Sequence, residues 1–144
     1  MLIRKLEHYN VRTTRYDETI RFYVDVLGMT ATSVPGMNQE KPSWIVDGSG
    51  VAAVHLIVVD PADPEGSLAR VMAFRGGYKG EGPPPLKGSG AIDHIAFQCE
   101  DYDTLAGRLR AAGLDFHENA VPQAGLRQIF VEDPNGVTLE LNFR

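Results

Sequence analysis

The chain repeats itself at an offset of 86 residues, and a duplicated chain has few folds open to it. Glu7-His8 maps onto Asp93-His94, Tyr16-Asp17 onto Tyr102-Asp103, Trp44 onto Phe130 and Asp47 onto Asp133. A one-residue shift brings Leu27-Gly28 onto Ala112-Gly113. Each copy reads strand–helix–strand–strand–strand, so the chain is expected to be a duplicated βαβββ unit.

Periodicity supplies the elements. Alternation predicts strands over residues 2–13, 29–34, 43–46, 51–59, 91–100, 114–118, 126–132 and 137–143. Helical spacing of Tyr16, Ile20, Tyr23 and Leu27, and of Tyr102, Leu105, Ala106 and Leu109, predicts one helix per copy, each stopped by a glycine. Residues 60–90 are rich in Pro and Gly, with a short helix expected over 67–74. A segment this long between compact units is expected to be a linker or a lid. The boundaries are one domain over residues 1–144, with module 1 at about 1–60, the linker or lid at about 61–89 and module 2 at about 90–144.

The last stretch is expected to be a hairpin around a type I turn, Asp133-Pro134-Asn135-Gly136. Its final strand puts Val137, Leu139, Leu141 and Phe143 on one face, and Thr138, Glu140 and Asn142 on the other. A carboxylate in the middle of that polar face calls for a reason. The repeat offers one. With the one-residue shift, Glu140 meets His55; His8 precedes His55 by 47 residues, and His94 precedes Glu140 by 46. Each copy thus contributes one residue from its first strand and one from its last. His8, His55, His94 and Glu140 are three imidazoles and a carboxylate, a ligand set suited to one divalent ion such as Zn, Ni, Fe, Co or Mn. Asn10, Arg12, Gln98, Thr138 and Asn142 share the ligand faces and are expected to line a polar pocket, while Ala53, Ile57 and Ala96 leave room for a substrate. Arg127 is a weaker candidate for gripping an anionic substrate. Glu7 and Asp93 are expected to point away from the ligands.

Other classes are disfavoured. A net charge of −5 without a basic stripe argues against nucleic acid. The longest apolar run, residues 51–59, is too short to span a bilayer. The absence of an apolar leader and the single cysteine, Cys99, lead to the expectation of a cytoplasmic protein with no signal peptide and no membrane partner.

The stretches Tyr9-Asn-Val-Arg-Thr13, Ile20-Arg-Phe-Tyr-Val-Asp-Val-Leu-Gly-Met29, Ile92-Asp-His-Ile-Ala-Phe97 and Phe130-Val-Glu-Asp-Pro-Asn-Gly-Val-Thr-Leu-Glu-Leu141 resemble the vicinal oxygen chelate superfamily. That group includes glyoxalase I, extradiol dioxygenases, methylmalonyl-CoA epimerase, fosfomycin-resistance transferases and bleomycin-binding proteins. The resemblance implies an α+β fold in which paired βαβββ modules form a curved mixed sheet around a metal. It implies ligands from the first and fourth strands of each module, which here are His8, His55, His94 and Glu140. It also implies bidentate chelation of a small oxygenated substrate, with Glu140 or His55 as base. Arg12, four positions after the first histidine, is similar in place to an arginine that binds the glutathione carboxylate in some glyoxalase I enzymes.

Three functions follow from these readings. The first is a lyase or isomerase of the glyoxalase I or epimerase type. Against it, the fourth-strand position of the first module is usually Glu or Gln in such enzymes and is His55 here. The second is an Fe(II)-dependent extradiol-type dioxygenase using His8, His94 and Glu140, with His55 as a nearby acid or base. The third is a non-catalytic small-molecule binder of the bleomycin-resistance type. A homodimer is expected, with the site formed within one chain or across two.

Overall fold

The computed structural model describes residues 2–78 and 80–144. The strands make two four-stranded mixed sheets. In the first module they are β1 (Tyr9–Thr13), β2 (Thr30–Thr32), β3 (Trp44–Val46) and β4 (Val54–Val58), in the order β1-β4-β3-β2. In the second they are β5 (Ile95–Cys99), β6 (Phe116–Val121), β7 (Leu126–Glu132) and β8 (Thr138–Phe143), in the order β5-β8-β7-β6. The two orders are the same, with the first strand of each module parallel to its last and at the sheet edge. This is the α+β fold of two βαβββ modules that the repeat predicts.

One helix follows the first strand of each module. The first, α1 (Tyr16–Ile20), continues as π-type turns over Arg21–Val26, and the widened winding buries both Phe22 and Tyr23. The helix of the second module is α3 (Tyr102–Ala111), whose N-cap Asp101 accepts a hydrogen bond from Thr104 N. Gly28 and Gly113 follow these helices with φ of 78° and 68°, a left-handed turn that any side chain would strain.

Alternation decides what is buried. In β8, Leu139, Leu141 and Phe143 are buried, and Thr138, Glu140 and Asn142 are half-exposed. The apolar faces of both sheets meet α1 and α3 in one core containing Val11, Tyr23, Ile45, Val54, Leu109, Ile129 and Leu139. Both sheets therefore turn their polar faces away from this common core.

The stretch between the modules is more ordered than its composition suggests. The helix expected at residues 67–74 starts earlier, as α2 (Pro64–Met72), capped by Asp63, with Pro64 in its first turn. Leu68 and Met72 pack on Val59 in a small core flanked by Ile57, Tyr78 and Leu86. Three buried apolar side chains at about 1.5–3 kcal/mol each explain why α2 stays docked on β4. Among the described residues, no helix is long and apolar enough to cross a membrane.

The two copies of the Asp turn differ in surroundings. Asp47 accepts hydrogen bonds from Ser49 N and Val51 N near the surface. Asp133 is 3% exposed and accepts from Asn135 N, Val137 N and the Tyr23 hydroxyl of the other module, at 2.8, 2.9 and 2.9 Å. Asn135, also buried, donates to Thr19 Oγ1, which contacts Thr13 Oγ1. The Tyr9 hydroxyl lies 3.1 Å from that of Tyr23.

Removing the Asp133 carboxylate strands three buried donors, so Asp133→Ala is expected to destabilise the protein by about 3 kcal/mol, whereas Asp47→Ala costs about 1 kcal/mol or less. Urea unfolding of the two variants measures the difference. Burial, with Asp133 nearby, pushes the Tyr9 and Tyr23 hydroxyls above the ordinary tyrosine range. A raised folded pKa contributes stability that is complete below the unfolded value of about 10 and is lost as pH climbs through the folded values. Alkaline titration followed by tyrosinate absorbance should show a late class that ionises together with loss of circular dichroism, diminished in Tyr23→Phe.

Candidate metal centre

The polar faces carry the candidate site residues as two separate pairs. In the first module, Asn10 and Trp44 are the register partners of His55 on its two sides. His8, just ahead of β1, stacks its ring on His55 with centroids 3.8 Å apart and planes 13° from parallel. Trp44 stacks on His55 at 4.7 Å and 12°. Since β4 lies between β1 and β3, the His55 ring is sandwiched between the other two. Burial, and then the neighbouring His8, lower the His55 pKa and favour its neutral form.

In the second module, His94 Nε2 lies 2.8 Å from Glu140 Oε2. His94 Nδ1 lies 2.7 Å from Asp93 Oδ2. The bond to Asp93, followed by the charge of Glu140, raises the His94 pKa. Phe130, the register partner of Glu140, meets the His94 ring edge-on at 6.2 Å. Glu140 Oε1 accepts a hydrogen bond of 2.7 Å from Gln128 Nε2.

The expectation that Glu7 and Asp93 face away from the ligands is corrected here. Asp93 bonds directly to His94, and Glu7 Oε1 comes within 3.6 Å of His8 Nδ1. The adjacent residue can do this because the chain is not yet in strand conformation at either histidine: β1 begins at Tyr9 and β5 at Ile95. At 3.6 Å no hydrogen bond forms, and among the described residues the buried His8 Nδ1 has no partner.

The other candidates are dispersed. Asn10 and Arg12 border a cavity of about 280 Å³ with Pro85, Leu86 and Ile92, and Arg12 Nε donates to Pro85 O at 2.9 Å. Gln98 borders a different cleft, of about 380 Å³, with Leu27, Met29 and Arg108. Thr138 is half-buried on the Glu140 face. Arg127 is on the other face of its sheet. Its guanidinium lies over the Tyr102 ring at 3.3 Å and near Asp103, so it is not among the residues the fold brings together. Strand alternation was the available signal: Gln128 and Phe130 share one face of β7 and Arg127 the opposite one. The same signal would have found Trp44, Phe130 and Gln128.

The donors suit a divalent ion in kind, and the second pair suits one in geometry. Ligands about 2.0–2.2 Å from a shared ion lie about 3 Å apart, close to the His94–Glu140 separation. The first pair needs one ring to turn, because two parallel imidazoles cannot both aim an in-plane lone pair at one ion. The orphaned His8 Nδ1 leaves that ring with no bond of its own to break. Among the described residues, no three His, Cys, Asp or Glu side chains gather within one chain to hold an ion.

Comparison with known proteins gives a consistent neighbourhood. A family model described as the Glyoxalase/Bleomycin resistance protein/Dioxygenase superfamily matches residues 5–141. "Glyoxylase I 4" of Arabidopsis thaliana is 27% identical over 145 aligned positions, covering 96% of this chain and 70% of that protein. A glyoxalase/dioxygenase from Nostoc punctiforme superposes with TM-score 0.64 at 18% identity, covering 99% of this chain and 92% of the other. Lactoylglutathione lyase from Agrobacterium tumefaciens gives 0.59 at 18%, covering 99% and 96%. An antibiotic binding protein from Streptomyces sp. CB03234 gives 0.54 at 19%, covering 99% and 98%.

If the Asp93 carboxylate sets the His94 protonation, Asp93→Asn should lower the His94 pKa toward the ordinary value of about 6.5. An NMR titration of the His94 ring protons in metal-free protein measures the change.

Proposed function

The chain belongs to the Glyoxalase/Bleomycin resistance protein/Dioxygenase superfamily, and from that membership we propose a divalent-metal-dependent lyase or isomerase of the glyoxalase I or epimerase type. It acts on a small oxygenated substrate. Its centre is built from His8 and His55 of one copy and His94 and Glu140 of a second. The observation that carries this reading is the division of the ligand set. Each pair sits on a polar sheet face turned away from the common core, and among the described residues no three His, Cys, Asp or Glu donors meet within one chain. A homodimer that sets the module 1 face of one copy against the module 2 face of the other unites the pairs twice. The names of the glyoxalase relatives support the reaction class.

A bound divalent ion would supply Lewis acidity for a developing substrate oxyanion. The chain's own groups divide the remaining work. Where the ion is held by the other three groups, His55, kept neutral by burial and by His8, has a free nitrogen suited to accept a proton next to a substrate carbonyl. Trp44 and Phe130 flank the site and shed water from it. Asn10, the register partner of His55, offers a polar contact next to the first pair, and Arg12, anchored to Pro85 of the intervening segment, borders the adjoining cavity.

The stacking of His55 also favours a second reading. A ring clamped between Trp44 and His8 leaves His8, His94 and Glu140 as a two-histidine, one-carboxylate set, the arrangement of Fe(II) oxygenases. Metal identity separates the two. Activity restored by Zn, Ni or Co, with proton exchange on an α-hydroxy carbonyl compound, supports the isomerase. Iron-dependent O2 uptake on a catechol supports the dioxygenase.

A mixing experiment tests the shared centre. His8→Ala/His55→Ala and His94→Ala/Glu140→Ala should each fail to bind metal alone. After co-refolding, heterodimers should recover one intact centre, read as bound metal in the dimer fraction. Mixed protein without metal would sink the two-chain arrangement. Glu140→Gln should weaken metal binding at least tenfold with the fold retained, measured by competition with a chromogenic chelator and by circular dichroism.

A further inference from the structure

Gln128 makes a set of hydrogen bonds that its place in the sheet does not by itself require. Its register partners are Asn119 on β6 and Asn142 on β8. Its amide accepts from Asn119 Nδ2 at 2.7 Å and donates to Asn142 Oδ1 at 3.0 Å, which is an ordinary ladder across three strands. The remaining bond is diagonal. Gln128 Nε2 reaches Glu140 Oε1 at 2.7 Å, although the register partner of Glu140 is Phe130.

The orientation of this amide follows from its neighbours. A carboxylate only accepts hydrogen bonds, so Nε2 must face Glu140. That leaves the amide oxygen for Asn119, as found. Both Nε2 hydrogens are then used, and the side chain has no freedom to turn without losing a bond. Glu140 is left asymmetric: Oε1 is held by Gln128, and Oε2 faces His94. The repeat shows that this support belongs to the carboxylate half alone. The position 86 residues before Gln128 is Pro42, which has no side-chain donor, and His55 is held instead by ring stacking.

We propose that Gln128, itself oriented by Asn119, is a positioning residue that fixes Glu140 as a one-oxygen ligand presenting Oε2. The proposal rests on the reading of Glu140 as a metal ligand. It adds that Glu140 is a fixed ligand and not a swinging base, because leaving the ion would break the bond to Gln128. An amide suits this task better than a second acid. It cannot ionise, so it offers a donor to the carboxylate without adding a like charge.

Cobalt(II) binding tests it, since the visible spectrum of the ion reports coordination number independently of turnover. Wild type, Gln128→Ala and Asn119→Ala are titrated with Co(II). In Gln128→Ala the freed Oε1 joins the ion. Its cobalt spectrum should weaken toward that of a higher-coordinate centre, and affinity should fall tenfold to a hundredfold. Asn119→Ala alters only an exposed side chain and should give a smaller shift in the same direction. A Gln128→Ala protein that folds, by circular dichroism, and keeps the wild-type spectrum and affinity overturns the proposal. If that variant does not fold, an unchanged spectrum in Asn119→Ala overturns it. Wild type that binds no cobalt sinks the metal reading and this proposal together, whereas normal wild-type binding with indifferent variants sinks the proposal alone.

Discussion

The buried Asp133 carboxylate is the interaction on which the rest of the structure depends. It is the centre of a turn in module 2, yet one of its bonds comes from Tyr23 in module 1. Around it, Asn135 reaches Thr19, Arg15 reaches Pro134 O, and Gly88 N of the intervening segment reaches Asn135 O. A buried carboxylate is costly unless its lone pairs are met, and here they are met only when the modules dock in one orientation. That orientation puts the apolar faces of both sheets on one core. The polar faces, with their histidines and Glu140, are then directed outward. The division of the proposed ligand set into two pairs follows from this docking.

Duplication produced two similar units, and their later divergence is visible residue by residue. The Asp47 turn kept its internal bonds and stayed near the surface, while the Asp133 turn became the pin between modules. The site halves diverged as well. One is a stack of aromatic rings, Trp44, His55 and His8, with a buried nitrogen that has no partner among the described residues. The other is a hydrogen-bonded network running from Asp93 through His94 to Glu140, Gln128 and Asn119. The network is preorganised, because each charged group already has its partner. The stack is adaptable, because its rings are held by packing and not by directional bonds.

The segment between the modules follows the same logic. Pro and Gly suggested a linker or lid holding one short helix, and Leu68 and Met72 give α2 enough apolar surface to dock against the end of β4, with Tyr78 packing beside them. Once docked, its continuation passes β1, where Pro85 O holds Arg12. A residue read as a free substrate contact is thereby engaged by the chain itself.

Much of this was legible in the sequence. Period-two alternation placed the strands of both modules, and the 86-residue offset paired His8 with His94 and, with a one-residue shift, His55 with Glu140, because strand periodicity and duplication are written in residue order. Glycines 28 and 113 marked the helix ends for the same reason. Partners of individual side chains were not legible. Whether Asp93 turns back onto His94 and which strand neighbour Gln128 reaches both depend on register and on where each strand begins. The turns differ locally, Asp47-Gly-Ser-Gly50 against Asp133-Pro-Asn-Gly136, but that difference does not say which of them is buried. Only the docking of one module on the other, driven by burial of the common core, made one a surface turn and the other a buried pin. The same docking keeps the His8–His55 pair and the His94–Glu140 pair apart within one chain.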